Sequence, residues 1–443
     1  MKINQQIYIY DFVWAISEAI DLVSPTLYGH QKQVTYIAGS IAQEMKLKNE
    51  EVQDIILAAM LHDVGAYSLD EWDKILSVET EDRDLGHHAF LGYVLLKDFA
   101  PLSRAAEIIR DHHVDFCNGR KGIRTGSYII YLANKISLLI DCKSEILRQV
   151  PGVLAEINQD REFFHPDALA AFTRLAGKES FWIEASTMSL IRADMLKRVL
   201  LSKEYVDMDT FRDFAKITAQ IIDFKSRFTA THSSGVAAVA MELSRLSGFS
   251  ERECKMMEIA GFLHDLGKLA VPNEILDKDG PLETDERNVI RKHTYYTHAI
   301  LSRLRGFGLI AEWAAYHHEH LNGKGYPFNV KNEDFSKLSR IMAVADVITA
   351  LTEDRPYRAG MDREGAESAL KNMVGKSMLD GSIVALANEN FHHINGVRTR
   401  AQRTARKNYE AFYESIRVVP VIRERRRCSR KLQASRISQG IRS

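Results

Sequence analysis

Ala260–Val271 reads AGFLHDLGKLAV, and Ala58–Ser68 reads AAMLHDVGAYS. Each stretch closes an apolar run on a His-Asp pair followed by a glycine. Outward from these pairs the spacing repeats. His30 lies 32 residues before His62, and His232 lies 32 before His264. His88 precedes the doublet His112-His113 by 24 residues, and His293 precedes His317-His318 by 24. Two equal spacings in one order, with a shared LHDxG, indicate an internal duplication. The surrounding pattern is helical. Val52, Ile55, Ile56, Ala59 and Met60 share one face, as do Val236, Val239, Ala240, Leu243 and Leu246. Ser250 followed by Glu253 reads as a capping box, and Gly248 as the stop of the preceding helix. The expected fold class is all-α, with at most a minor hairpin. Two tandem helical bundles should meet near residue 200, where a helical stretch over 182–201 runs into a helix predicted over 209–225.

Length and composition agree. A chain of 443 residues suggests more than one core. Apolar residues make up 45%, enough to build those cores, and only 9 Pro occur, which favours long helices. Cys117, Cys142, Cys254 and Cys428 form no CxxC pair, which argues against a disulfide scaffold or a thiolate zinc site. No apolar run approaches ~18 residues, so no membrane span is expected. The N-terminal MKINQQIYIYDFVW lacks the apolar core of a signal peptide, so a cytoplasmic protein is expected. The formal net charge of zero hides an asymmetry. From Arg398 to Ser443 there are 14 Lys or Arg against 3 Asp or Glu, a net of +11 that leaves −11 for the rest. The stretch 399–417 can form a helix with Tyr409, Phe412 and Ile416 on one side. The basic tail reads as a solvated segment rather than a nucleic-acid binder.

A single histidine on an apolar helix is usually a core or surface residue. His232, His264, Asp265, His293, His317, His318 and Asp346 are different, because six of them recur in the order of the duplication. Imidazoles with carboxylates suit first-row divalent metals. Adjacent helical residues splay by about 100°, so His264-Asp265 and His317-His318 could each reach different parts of a cluster, with Asp265 bridging. His298, His320, His392 and His393 have no counterparts and are read as ordinary residues, and spacing selects His88 over His87.

At this point the second half resembles the HD-GYP family of cyclic-dinucleotide phosphodiesterases within the HD superfamily. The resemblance rests on FTATHSSGVA around His232, FLHDLGK at His264, RKHTYYTHAIL around His293, HHEHLNGKGYP from His317, and ADVITALTEDRPYR from Ala345, and covers roughly 206–395. It implies two HD-type bundles: a degenerate, regulatory one over 1–200, and a catalytic one over 206–395, followed by the tail at 398–443. It also implies two divalent ions, iron or manganese. One would take His232, His264, Asp265 and Asp346; the other Asp265, His293, His317 and His318. Asp265 and Lys268 would be catalytic. Lys268, Gly325, Tyr326, Pro327, Arg355 and Arg358 would contact substrate, and Glu319 would orient a metal-bound imidazole. Phe228 and Thr349 depart from the family pattern, where some members place a Glu and an Asp. The Phe228 departure favours two ions over three.

The first copy keeps His30, His62, Asp63, His88, His112 and His113, a possible vestigial metal site. It has Ala66 in place of the lysine, lacks GYP, and aligns Asn134 with the final carboxylate. The implied activity is hydrolysis of cyclic di-GMP or 3′3′-cyclic GMP-AMP to a linear dinucleotide, with further cleavage to mononucleotides left open. The alternative is a non-catalytic receptor or adaptor for such a ligand. A homodimer, and signalling partners at the GYP loop, are compatible with the resemblance. The tandem arrangement itself resembles a subgroup acting on cyclic GMP-AMP.

Overall fold

The structure is a computed structural model that describes residues 7–21, 29–66, 85–119, 121–187, 191, 205–225, 231–276, 278, 280–354 and 359–417. Phe228, Arg355, Arg358, the predicted helical residues 192–201 and the tail from 418 onward lie outside the described residues. The chain forms two compact units: Met1–Thr26 with Glu204–Glu414, and Leu27–Lys203 with Ser415–Ser443. Among the described residues all regular structure is helical except one ladder, in which β1 (Ile7–Tyr8) runs antiparallel to β2 (Tyr205–Val206). That pair is not a local hairpin, since its strands are far apart in sequence.

After α1 (Ile9–Asp21), the first-repeat unit contains α2 (His30–Glu44), α3 (Asn49–Leu61), α4 (Leu85–Leu96), α5 (Ser103–Arg110), α6 (Thr125–Leu138), α7 (Ile146–Gln159), α8 (Pro166–Ala176) and α9 (Glu179–Ser186). The second-repeat unit contains α10 (Met208–Lys225), α11 (His232–Leu246), α12 (Glu251–Leu263), the short α13 (Asn273–Leu276), α14 (Thr284–Leu301), α15 (Gly308–Ala315), α16 (Lys337–Thr352), α17 (Arg363–Gly375), α18 (Gly381–Glu389) and α19 (Phe391–Arg417). The duplication extends to element lengths. Helices α2 and α11 have 15 residues each, α3 and α12 have 13, and α5 and α15 have 8. Local signals act where expected. The Ser250 hydroxyl accepts from the Glu253 amide (3.3 Å) while Glu253 accepts from the Ser250 amide (2.9 Å), and Gly248 ends α11 at φ +83°.

In both units the turn after the His-Asp pair lies flat against the helix of the next histidine. A Cβ on Gly267 would stand 1.9 Å from the His293 carbonyl oxygen, and one on Gly65 would stand 2.1 Å from that of His88. Only glycine permits this approach. It is the physical reason for the G in LHDxG.

Two boundaries differ from those expected. Helix α1 belongs with the second repeat, not the first. Phe12 meets Phe211 (ring centroids 4.7 Å) and Phe214 (5.0 Å) edge-on, and Phe211 continues to Phe307 (4.9 Å). Each such fully buried Phe contributes roughly 1.5–3 kcal/mol of transfer free energy, which outweighs closeness in sequence. At the other end, the helix expected over 399–417 is present but begins earlier, as part of α19, so the boundary expected at 398 falls inside a helix. Arg398 and Gln402 are buried, because Gln402 reaches inward to a carboxylate described below. No helix among the described residues is long and apolar enough to cross a membrane.

Candidate active site

Helix ends, together with His293 inside α14 and Asp346 inside α16, aim the chemistry-bearing side chains of the second repeat at one point. His232 opens α11, and Asp346 lies inside α16. His264 caps α12 and Asp265 stands in the turn after it, while His317 and His318 form a 3-10 turn after α15. The two doublets were expected to splay along a helix. Both instead sit just past helix ends, where the backbone turns. His232, His264, Asp265, His293, His317 and Asp346 are buried, and the His318 side chain is 35% exposed.

His232 Nε2 lies 3.1 Å from Asp346 Oδ1. Asp265 Oδ2 lies 3.2 Å from His264 Nε2, and its Oδ1 lies 3.3 Å from His293 Nε2. Three donor groups each fall within 4.8 Å: His232, His264 and Asp346; His293, His317 and His318; and, between them, His264, Asp265 and His317. The proton positions follow from the backbone. The Nδ1 atoms of His264, His293 and His317 face the carbonyls of Gly261 (2.8 Å), Ile290 (2.6 Å) and Ala314 (2.7 Å). Each Nδ1 therefore carries the proton, and each Nε2 presents a lone pair inward. His293 Nε2 and His317 Nε2 are 3.2 Å apart. Two lone pairs at that distance beside a carboxylate form a donor set that fits a metal cation. Lys268 Nζ lies 2.6 Å from Asp265 Oδ2.

Glu353 escaped the sequence reading. It is buried just past α16, with Oε1 and Oε2 at 3.1 and 3.2 Å from His232 Nδ1, and Gln402 Nε2 of α19 donates to Oε2 (3.0 Å). Glu319 was expected in such a role and has another. It is buried, and its carboxylate accepts from the backbone amides of Phe328 (2.7 Å), Asn329 (3.2 Å) and Val330 (3.1 Å). Glu319 thus ties down the loop after Pro327 instead of an imidazole. Gly325 is pressed against the same segment, since a Cβ there would stand 2.4 Å from Glu319 Cα. Thr349 is buried where α16 meets α11, and a Cβ on Gly235 would stand 2.9 Å from its Cγ2. Asp223 on α10 was also missed. Burial pushes its carboxyl up to about 7, against a hydrogen bond from Ser233 Oγ (2.7 Å).

Outward from His318 runs an aromatic and cationic wall. The Tyr326 ring lies 4.9 Å from the His318 ring, and the Arg291 guanidinium lies 4.6 Å from the Tyr326 ring centre. Asn288, Arg291, Lys292, Tyr295, Tyr326 and Pro327 line a cleft of about 440 Å³. A second hollow of about 360 Å³ contains His317, His318 and Asp346 together with Met373 and Leu379.

The first repeat also gathers its residues. Asp63 Oδ2 lies 2.9 Å from His62 Nε2, and Oδ1 lies 3.2 Å from His88 Nε2. His30, His62, His88 and His112 are buried, whereas His87 is exposed.

The charges of these groups set a pH profile for the metal-stripped protein. Burial lowers His30 to about 4 and His293 to about 3, whereas the Glu353 and Asp346 carboxylates outweigh burial at His232 and raise it to about 10. A histidine held neutral below its ordinary 6.5 costs stability as pH falls from 6.5 toward its folded value, because the unfolded chain binds the extra proton. His232 has the opposite sign, and its contribution is lost as pH rises from 6.5 toward 10. The expected result is a thermal midpoint of the chelator-treated protein that is highest near pH 6.5 and falls on both sides. Differential scanning calorimetry across pH 4–10 checks it, and a midpoint rising steadily toward pH 4 would contradict it.

Comparison with known proteins gives the same picture. HD domain models match residues 216–383 and 27–138. The 3′3′-cGAMP-specific phosphodiesterase 1 of Vibrio cholerae is 29% identical over 390 residues, 84% of this chain and 89% of that protein. The 3′3′-cGAMP-specific phosphodiesterase 3 of the same organism is 42% identical over 142 residues, 32% of this chain and 31% of that protein. A cyclic di-GMP phosphodiesterase of Pseudomonas aeruginosa is 37% identical over 147 residues, 33% of this chain and 35% of that protein. The crystal structure of a cyclic GMP-AMP specific phosphodiesterase of V. cholerae superposes with TM-score 0.61 at 21% identity, covering 87% of this chain and 98% of that one, which shows a shared all-helical fold. With two HD-domain models matched, the duplicated His-Asp clusters in place and a cyclic GMP-AMP phosphodiesterase aligned along most of its length, the chain carries two HD domains and is homologous to HD-GYP cyclic-dinucleotide phosphodiesterases.

Proposed function

We propose that the chain is a metal-dependent phosphodiesterase that opens a cyclic dinucleotide, with 3′3′-cyclic GMP-AMP preferred over cyclic di-GMP. The observation that carries this reading is the second-repeat cluster, whose inward lone pairs, shared Asp265 and adjoining cationic cleft occur together. The preference rests on the relative that aligns over 84% of the chain and bears a cyclic GMP-AMP name.

His232, His264, Asp265 and Asp346 would hold one divalent ion, and Asp265, His293, His317 and His318 a second, with iron or manganese suiting this nitrogen and oxygen set. Such a pair supplies Lewis acidity and a nucleophilic water at neutral pH. The chain's own residues do the rest. Lys268 places an ammonium beside Asp265, where a phosphate oxygen gains negative charge. Arg291 and Lys292 give the cleft positive charge for a dianionic ligand inside an acidic body. Tyr326 and Tyr295 offer ring faces to bases. Water oxygen joins phosphorus, the ribose 3′ oxygen leaves with a proton, and a linear dinucleotide results. The first-repeat unit lacks the lysine and the final carboxylate, and acts as a regulatory partner of the catalytic one.

The test is turnover by the full chain, loaded anaerobically with Fe²⁺ or Mn²⁺, on both dinucleotides in parallel. Linear product from cyclic GMP-AMP, with slower turnover of cyclic di-GMP, is expected. Tight binding without product would replace the enzyme with a receptor, and a faster rate on cyclic di-GMP would reverse the preference.

A further inference from the structure

The structure points to a metal site in the first-repeat unit: one divalent ion on Asp63, His88, His112 and His113, with none on the neighbouring His30 and His62. It lies outside the catalytic centre proposed above.

The four donors fall within 4.8 Å of one another. His88 Nε2 and His112 Nε2 stand 3.2 and 3.8 Å from Asp63 Oδ1, and His113 Nε2 stands 3.0 Å from His88 Nε2. Tetrahedral bonds of about 2.0–2.1 Å need donors about 3.3–3.4 Å apart, which these distances bracket. The His112 Nδ1 faces the Ile109 carbonyl at 2.7 Å, so its Nε2 presents a lone pair to the centre. That Nε2 is buried and has no hydrogen-bond partner among the described residues. A neutral imidazole nitrogen aimed into a cluster without a donor is what a cation would satisfy. Ala66 stands where the second repeat has Lys268, so among the described residues no lysine of this turn competes for Asp63. Three imidazoles and one carboxylate suit Zn²⁺ or another borderline first-row dication.

The other half of the cluster lacks counter-charge. His30, His62 and Asp63 do come within reach of one another. Yet Asp63 Oδ2 already accepts from Gln31 Nε2 at 2.9 Å and lies 3.8 Å from His30 Nε2. Asn134 takes the place of Asp346, so a neutral amide stands where the second repeat offers a second carboxylate. His30 Nδ1 faces the Ser137 hydroxyl at 3.1 Å, where His232 faces a carboxylate. One carboxylate balances one dication poorly and two dications far worse. The single ion would join the ends of α3 and α5 to α4 and act as a clasp on the fold.

The experiment counts ions in the full chain carrying Asp265→Ala, which removes the catalytic pair and isolates the first repeat. After saturation with Zn²⁺ and desalting, inductively coupled plasma mass spectrometry should find one ion per chain. Adding His113→Ala should bring the count to zero, adding His30→Ala should leave it at one, and adding Asn134→Asp should raise it to two. Circular dichroism confirms folding, and chelation should lower the thermal midpoint of the Asp265→Ala protein but not of Asp265→Ala/His113→Ala. A count of zero in Asp265→Ala alone overturns the proposal, as does a count unmoved by His113→Ala. The Asn134→Asp gain does not depend on a loss of fold. None of these readouts uses turnover, so failure here leaves the catalytic reading standing, and the reverse also holds.

Discussion

Asp265→Ala is expected to abolish turnover and to strip the second-repeat unit of metal, while Asp63→Ala leaves turnover in place. Asp265 touches three partners at once: His264, His293 and Lys268 stand at 3.2, 3.3 and 2.6 Å from its two oxygens. It holds its charge because those neighbours oppose the burial that would neutralise it, and its carboxyl lies well below the usual carboxylate range. Removing it leaves inward-facing imidazoles without the anion between them. If each ion contributes several kcal/mol to the transition state, and each 1.36 kcal/mol is tenfold in rate, the loss is on the order of 10³-fold or more. Metal content and steady-state rate, measured on the same preparation, check it. Full activity in Asp265→Ala would overturn the site assignment. Loss of activity in Asp63→Ala, with Asp265 intact, would make the first repeat part of the catalysis.

Glu353→Gln is the second large effect. Glu353 fixes His232 by accepting from Nδ1, which leaves Nε2 to face Asp346. Carboxylates behind metal-bound histidines typically contribute 10–100-fold in metal affinity or activity. The expected result is a rise of about 10–100-fold in the metal concentration needed for half-maximal rate, with partial recovery of the rate at saturating metal. Glu319→Gln provides the contrast, since it binds backbone amides of the loop after Pro327 and should leave metal affinity unchanged. Isothermal titration of both variants with Mn²⁺ distinguishes them. Equal affinity of Glu353→Gln and the parent protein would remove Glu353 from the site.

The two cases show what was legible in the residues. The imidazoles could be found because duplication repeats their spacing, and spacing survives in a one-dimensional string. Glu353 could not be found that way. It lies beyond a helix end, and it reaches His232 only because α16 packs on α11 across more than a hundred residues. Glu319 sits next to His318 in sequence, so proximity alone offered it a role that its side chain does not take. Arg291 and Lys292 precede His293 directly, and the turn of α14 swings them away from the cluster into the cleft wall. A helical wheel around His293 would have separated them. The boundary near residue 200 was placed from the order of the repeats. The partners of Phe12 lie about two hundred positions away, and no local pattern carries that information.

The position of α1 has a consequence for how the protein is made. The first repeat is an insertion within the second, since the chain lays down α1, builds Leu27–Lys203, and only then supplies α10. On the ribosome, Phe12, Val13 and Ile16 must wait with their apolar faces uncovered until Phe211 and Phe214 emerge. At about 5–20 residues per second that wait lasts on the order of ten seconds or more. The first repeat, rich in local helical contacts, can fold within it and shorten the loop that must close when α1 meets α10. Folding of the insert is thereby coupled to maturation of the unit around it, whether or not it ever touches a nucleotide.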